Sequence, residues 1–392
     1  MGLSNCKRGI CIFLDIFVFV LVSLLLLPNV RAERGGLAYE DASSEEKHAE
    51  NQEEFNAGTT IVEHITNAYQ WHICQWNEKH ISIPLPVILI EGGKLHVFSS
   101  SRFHHGKDAY HGFAICKEEG LKKGRIVKVG EDGNRIKNAS LIDISITKNV
   151  LSLFIGLAII LILFISMAKG YNKRGVAAPK GIARAIEPLI LFVRDDIARP
   201  AIGNKNERYL PFLLTVFFFI FLNNLLGLVP FFPGGANLTG NISVTLVLAL
   251  FTFLIVNVSA NRSYWKHIVN TPGVPWWLKI PLPIMPIVEL IGVITKPIVL
   301  TIRLFANISA GHIICLGFIS LIFIFGQMSP IAGYGVSVFS VFFYIFMSLL
   351  ELLVAFIQAF VFTLLSAIYI GMAIEEHHHE TEHEIEIAGE AK

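Results

Sequence analysis

The sequence predicts an all-α polytopic membrane protein with about five membrane helices and a small exported N-terminal region of α+β structure. Of its 392 residues, 53% are hydrophobic and only 16% are charged, whereas about a quarter of a soluble domain is charged. The run 210–261 contains no charged residue, and it is long enough for two membrane helices of about 20 residues each. A net charge of +1 is not typical of a nucleic-acid-binding protein.

The first 32 residues have the organisation of a secretory signal peptide. Lys7 and Arg8 precede an apolar stretch at 10–27, and residues 30–32 form a small-x-small cleavage pattern. An uncleaved first membrane helix is the alternative. Both interpretations place the following segment outside the cytoplasm.

Residues 33–58 are acidic and predict a solvated linker. Residues 59–147 then predict a small exported extension in which short apolar runs alternate with glycine-containing turns. Because disulfides form outside the cytoplasm, Cys74 and Cys116 are a candidate disulfide, with two free thiols as the alternative. We expect a helix at 60–71 and strands at 87–90, 95–98 and 125–129.

The membrane domain is predicted to occupy residues 148–375. After a first span at 149–168, the segment 169–208 carries nine Lys and Arg residues, which places it in the cytoplasm by the positive-inside rule. Within this segment, 182–197 has the apolar spacing of an interfacial amphipathic helix. Four further apolar segments follow at 210–229, 243–260, 281–325 and 336–374, giving five spans with the N-terminus outside and the C-terminus inside.

The last two apolar segments are too long for an upright crossing. A helix of 39 residues extends about 58 Å at about 1.5 Å per residue, whereas the hydrocarbon core is about 30 Å thick. Each segment is therefore either broken or steeply inclined, and an inclined helix needs a large protein neighbour to hold it.

Few ionisable residues persist in these last two segments. Charge at membrane depth is costly and suggests function, and structural salt bridges between helices are the alternative. These residues are Glu289, Lys296, Arg303, His312 and Glu351, with Asn307 one turn beyond Arg303. Residues seven apart share a helix face. Glu289, Lys296 and Arg303 therefore share one face, and Glu351 and Gln358 share another.

Arg303 lies between two groups at different depths. Glu289 falls toward the cytoplasmic end, whereas His312 and Glu351 fall toward the outer side. Histidine and glutamate relay protons, but arginine keeps its proton. A fixed positive charge at this point would interrupt a continuous proton wire and attract a carboxylate from a partner.

The segment Ile302–His312, which reads IRLFANISAGH, closely resembles the signature of subunit a of the F-type ATP synthase. Residues 221–230, 289–297 and 351–370 also resemble that family, and the likeness covers roughly residues 140–375. It implies a non-catalytic stator subunit, without a cofactor, that forms a proton path against a rotating ring of c subunits. It also implies that the last two helices are steeply inclined along that ring.

The same resemblance assigns roles to individual residues. Arg303 matches the essential arginine that meets the ring's carboxylate. His312 and Glu351 match the pair that lines the outer half-channel, in the histidine-first order of mitochondrial relatives. The remaining matches are Gln358 and Asn307 near the arginine, and Glu289 near the inner half-channel.

One departure from the family pattern concerns the first hairpin. Some bacterial relatives carry an aspartate where this chain has Gly227, so the outer path is expected to use neutral polar groups instead. The candidates are Asn223, Asn224, Asn241 and Ser243.

The expected partners are the c ring, the b subunits of the peripheral stalk, the rest of the F1Fo complex and the lipid bilayer, with no nucleic acid. The signal and the extension resemble those of certain bacterial versions, which implies a bacterial inner membrane with a periplasmic N-terminus.

Three rival functions remain to be tested. The tail 376–392 contains HETEH at 379–383, a pattern found in zinc proteases, although a solvated tail is the simpler interpretation. A secondary transporter would usually show internal repeats. A stand-alone proton channel would conduct without a ring.

Overall fold

The structure is a computed structural model that describes residues 58, 67–76, 79–106, 108–116, 124–130, 136, 141–174, 181–229, 233–269 and 284–375. The predicted signal peptide, nearly all of the acidic linker and the tail 376–392 lie outside these residues. Within them, a region rich in short strands precedes a helical membrane part.

Within the described residues, the extension contains seven short antiparallel strands. β1 pairs with β2, β3 lies between β4 and β7, and β5 pairs with β6. The strands expected at 87–90, 95–98 and 125–129 are confirmed as β3, β4 and β6. The strands are β1 Gln70–Trp76, β2 Lys79–Pro84, β3 Pro86–Glu91, β4 Lys94–Ser99, β5 Phe113–Ile115, β6 Ile126–Lys128 and β7 Leu141–Asp143, with a 3₁₀ helix at Ser100–Gly106.

Alternate residues of β3 build the core of the extension. Val87 and Leu89 point inward and pack with Phe103 and Phe113, as the period of two of a strand requires. Beside them the Tyr69 hydroxyl donates a hydrogen bond to Asp143. Burial, followed by the Asp143 carboxylate, raises the pKa of Tyr69, so this hydroxyl remains a donor throughout the neutral range.

Two expectations for the extension are wrong. Gln70 and Trp71 belong to β1 rather than to a helix, because Trp71 is 2% exposed and pairs with Ile83 across the β1–β2 ladder. The rest of that predicted helix lies largely outside the described residues. Cys116 is a free, buried thiol, so the Cys74–Cys116 disulfide is not formed. Cys74 lies in β1, whereas Cys116 follows β5 in a different sheet.

Three hydrogen bonds join the extension to the start of the first membrane helix. The Asn67 amide nitrogen donates to the Thr147 hydroxyl at 3.0 Å, and the Asn67 amide oxygen accepts from the Asn149 backbone at 3.2 Å. The Lys148 backbone donates to the Ala68 carbonyl at 2.9 Å. The start of the described extension is thereby fixed to the start of the membrane part.

The membrane part consists of helices that follow the predicted segments closely. Within the described residues, five segments are long and apolar enough to span a membrane, which confirms the predicted fold class. The second of these includes the predicted amphipathic helix. The helices are α1 Lys148–Arg174, α2 Ile182–Phe192, α3 Arg199–Ile202, α4 Asn206–Leu228, α5 Ile242–Ser259, α6 Arg262–Val269, α7 Ile284–Met328 and α8 Pro330–Ile374, with a π-helical turn at Val193–Ala198 between α2 and α3.

Helix α4 forms the centre of the membrane part. Its residues 209–220 are all buried, as expected of a helix that is apolar on every side. Phe217 and Phe221 of α4 pack against Phe356 of α8, and Phe192 of α2 contacts the same ring. Phenylalanine therefore joins three helices in the core.

Helices α7 and α8 are each unbroken over 45 residues. Each extends about 68 Å at about 1.5 Å per residue. The segments are therefore not broken, and a steeply inclined course stays our prediction. At the turn that joins them, a Cβ on Gly333 would lie 2.8 Å from the Gly326 Cα, which requires glycine at this close approach. At the other end of α8, the Asn261 backbone and side chain donate to the Ala373 and Ile374 carbonyls.

Candidate functional site

The central feature of the membrane part is a buried pair of side chains between α7 and α8. His312 Nδ1 lies 2.9 Å from Glu351 Oε1, and the two side chains are 14% and 7% exposed. A Cβ on Gly311 would lie 3.4 Å from the Glu351 side chain, so a glycine beside His312 leaves room for the carboxylate. The structure thus brings together two residues that are 39 positions apart and were both predicted as site residues.

A small polar cavity adjoins this pair. Its volume is about 10 Å³, close to the space that one water molecule needs. Asn223 and Asn224 of α4 line it together with His312 and Glu351. The Asn224 amide accepts a hydrogen bond from Thr239 and donates to the Ala355 carbonyl at 3.5 Å. The prediction that neutral amides of the first hairpin accompany the pair agrees with this lining.

The other two hairpin candidates have a different role. The Asn241 side chain accepts a hydrogen bond from the Ser243 backbone at 3.0 Å and caps the N-terminus of α5. Neither residue lines the cavity, because the cap turns both toward the surface at the helix start. The cavity instead takes Asn237 and Thr239 from the preceding turn. The only sequence signal for these two was the density of polar side chains in that turn.

Arg303 lies outside this buried group. Its side chain is exposed on α7, as is that of Asn307 one turn later. Nine residues separate Arg303 from His312, which is about 13 Å along the helix and about half a turn around it. In the part of the chain that the structure describes, no hydrogen bond or ion pair involves the Arg303 guanidinium.

Gln358 is buried on α8, two turns from Glu351. Both residues belong to the inner side of α8, and no hydrogen bond connects Gln358 with Arg303 among the described residues. The structure therefore places Gln358 with the buried polar groups and leaves Arg303 and Asn307 on the open face of α7.

A second cavity, lined mostly by apolar side chains with a few polar ones, lies further toward the start of α7. Lys296 Nζ is 5.1 Å from the centre of the Tyr369 ring, and both residues line the cavity with Asn257 and Tyr264. The Asn257 amide oxygen and the Tyr264 hydroxyl are buried here without a hydrogen-bond partner in the described residues. Burial and then the Glu289 carboxylate raise the pKa of Tyr264, so the hydroxyl keeps its proton at neutral pH.

Of the predicted residues, Lys296 lines this second cavity, and the Glu289 carboxylate lies near enough to act electrostatically on Tyr264 of its lining. Lys296 and Glu289 are partly buried, and no direct ion pair joins them within the described chain. Asn257, Tyr264 and Tyr369 were missed by the sequence reasoning, because they come from three other helices whose contacts with α7 are not encoded in spacing along one helix.

Cys315 was also missed as a polar residue. Its sulfur lies 3.3 Å from Glu351 Oε2, although in the sequence it is one small residue in an apolar run. Among the described residues, no group of three or more His, Cys, Asp or Glu side chains has the arrangement of a metal site.

The chain is similar to known proteins in two separate stretches. The family model described as "ATP synthase A chain" matches residues 150–371, and a domain of unknown function matches residues 60–144. ATP synthase subunit a of Chloroherpeton thalassium is 44% identical over 247 residues, covering 61% of this chain and 70% of the relative. That of Pelodictyon phaeoclathratiforme is 48% identical over 255 residues, covering 63% and 70%, and that of Myxococcus xanthus is 42% identical over 266 residues, covering 66% and 82%.

Proposed function

The chain belongs to the family of ATP synthase subunit a, and from this premise we propose that it carries protons through two offset half-channels separated by Arg303. Membership of this family makes it a multi-pass, non-catalytic membrane subunit of the Fo sector that translocates protons within the F1Fo complex. The residues of the path, the individual partners and the orientation are our proposals.

The outer half-channel is proposed to end at His312 and Glu351. The 2.9 Å contact between them allows a proton to pass from one to the other, and histidine and glutamate are the side chains that relay protons within membrane proteins. The amides of Asn223 and Asn224 adjoin the pair in a cavity of about one water molecule. These neutral groups serve where some bacterial relatives carry an aspartate.

The main observation behind the proposal is the exposed guanidinium of Arg303. An unpaired charge at membrane depth is costly, and such charges normally have a partner. Since the described chain offers none, the partner is proposed to be a carboxylate on the c ring, seated on the open face of α7. Asn307 shares this face. Gln358, which is buried on α8, is proposed to act near the arginine when the ring is bound.

The inner half-channel is proposed to begin near Glu289 and Lys296. The cavity beside them contains two polar atoms without partners in the described residues, which suits a wetted path better than a dry core. A ring carboxylate that arrives protonated from the outer side would lose its proton toward this group. Arg303 prevents protons from passing directly between the two half-channels, because it does not release its own.

The proposed setting is a bacterial inner membrane, with the mature N-terminus in the periplasm and the C-terminus in the cytoplasm. The nine basic residues of segment 169–208 support this orientation. The b subunits of the peripheral stalk and the rest of F1Fo are the further partners. We propose the division 1–32 signal peptide, 33–58 linker, 59–147 extension, 148–375 membrane domain and 376–392 tail.

The test replaces Arg303 with alanine in a strain that depends on this protein. We expect ATP-driven proton pumping by inverted vesicles to be abolished, because the ring carboxylate loses its counter-charge. Arg184→Ala is the matched control, since it removes an exposed cation from α2, away from the path, and should pump normally. Normal pumping by Arg303→Ala in fully assembled complexes would overturn the proposal.

A further inference from the structure

We propose that Cys315 is a positioning residue of the outer half-channel, holding the Glu351 carboxylate through a thiol hydrogen bond. This inference rests on the proposed function of His312 and Glu351. The carboxylate oxygens are divided between two partners on α7, with Oε1 at 2.9 Å from His312 Nδ1 and Oε2 at 3.3 Å from Cys315 Sγ. Cys315 follows His312 by three residues, so both project from one face of the helix.

The contact distinguishes Cys315 from an ordinary core cysteine. A buried cysteine usually behaves as a small hydrophobe, and Cys315 is 6% exposed. Here, however, its sulfur faces a carboxylate that is itself nearly buried, where a missing donor is costly. In the described part of the chain, His312 and Cys315 provide the two side-chain hydrogen bonds of Glu351. An apolar residue at 315 would leave Oε2 without its donor.

The surroundings leave Cys315 with a defined electrostatic effect. The titratable groups that face the carboxylate are His312 and Cys315, both from α7, while α4 contributes the neutral amides of Asn223 and Asn224. The turn before α5 adds the amide of Asn237 and the Thr239 hydroxyl, and the Ser348 hydroxyl of α8 interacts with the Cys315 thiol. A thiol that donates to a carboxylate favours its ionised form, so Cys315 weakens the hold of Glu351 on its proton.

Two consequences follow for proton transfer. The thiol fixes the rotation of the carboxylate, which keeps Oε1 directed at His312. It also eases release of the proton toward the ring. Loss of the donor should therefore let Glu351 keep its proton to a higher pH on the outer side, and should slow the maximal rate.

The experiment uses purified F1Fo reconstituted in liposomes, with the outer face of the subunit toward the lumen. ATP synthesis is driven by a fixed potassium diffusion potential while the lumenal pH is varied. For Cys315→Ala and Cys315→Val, we expect the lumenal pH that gives half-maximal synthesis to rise by about half a pH unit, the effect of one weak hydrogen bond. Cys315→Ser keeps a donor and should keep the native midpoint.

The variants separate hydrogen bonding from packing. Alanine and valine differ in volume but both lack a donor, so a common shift assigns the effect to the hydrogen bond. A native midpoint in both variants, or a serine variant that shifts as alanine does, would overturn the role of Cys315. Glu351→Gln distinguishes this from failure of the proposed half-channel, since a normal rate in that variant would instead remove Glu351 from the path.

Discussion

The two groups of polar side chains on α7 differ in how their needs are met. His312 is largely enclosed, with its side chain 14% exposed, and lies 2.9 Å from Glu351 of the same chain, with amides of α4 beside it. Arg303 is exposed, and the described chain provides it with no ion pair or hydrogen bond. Under the proposed function, His312 passes protons to Glu351, and both partners belong to this chain. Arg303 interacts with a moving carboxylate of another subunit, so its side chain has to stay accessible from outside the chain. The contrast indicates which part of the path belongs to this subunit alone.

The largest effect on proton pumping is expected at Arg303. The alanine variant described above should lose pumping entirely, and a lysine at the same position tests whether charge alone suffices. Because lysine is a compact cation without the planar donor fork of arginine, we expect Arg303→Lys to retain little pumping. Recovery of native pumping rates by lysine, measured in inverted vesicles, would contradict a geometric role for the guanidinium.

The next largest effect is expected at Glu351. Glu351→Gln removes the titrating carboxylate but preserves size, so proton entry from the outer side should slow by about tenfold or more. The measurement is proton flux at saturating driving force. An unchanged flux would count against the outer half-channel.

Exchanging the pair sharpens the same point. The two side chains contact each other directly and the exchange keeps both of them, so the double variant His312→Glu with Glu351→His should conduct better than Glu351→Gln alone. A double variant as slow as the single one would show that the surrounding residues, Cys315 included, determine which of the two positions must carry the acid.

A moderate effect is expected at the amide of Asn224. Asn224→Leu removes the hydrogen bonds to Thr239 and Ala355, and flux should fall by about fivefold, which corresponds to about 1 kcal/mol for the two together, since the 3.5 Å contact with Ala355 is weak. Asn241→Ala is the matched control, because this amide caps α5. It should cost about 1 kcal/mol of stability and leave flux normal. Equal losses of flux in the two variants would remove the distinction between them.

The smallest effect is expected at Lys296. Its ammonium is held over the Tyr369 ring, a contact worth about 0.5–1 kcal/mol, so Lys296→Met should change the pumping rate by about twofold. The rate is compared in inverted vesicles with that of Tyr369→Leu, which removes the same contact from the other side. A complete loss in the lysine variant alone would make its charge essential.

The sequence predicted the membrane helices well because hydropathy is a property of each segment by itself. The approximate positions of the spans, the amphipathic character of 182–197 and the separation of Arg303 from His312 around α7 all follow from local pattern and helical period, whereas the continuity of 182–228 as one apolar helical segment was not predicted. Strands β3, β4 and β6 were likewise visible as short apolar runs between glycine turns.

What the sequence did not reveal depends on contacts between segments. Cys315, Thr239 and Tyr264 acquire their roles only through residues brought from other helices or turns. Asn241 and Ser243 were expected in the outer path for their chemistry, but the hydrogen bond that begins α5 takes them away from it. Trp71 was assigned to a helix because its pairing with β2 has no signature in its own segment.

The continuous course of α7 and α8 has a mechanical consequence. Under the proposed function, a turning c ring would exert a sideways force on Arg303, which lies near the middle of a helix about 68 Å long (about 1.5 Å per residue). The hairpin is clamped at one end by the contact of Gly326 with Gly333. At the other, Asn261 holds the last carbonyls of α8. The hairpin of α7 and α8 is thus held near both of its ends. A kink within either helix would let the hairpin bend under the force on Arg303.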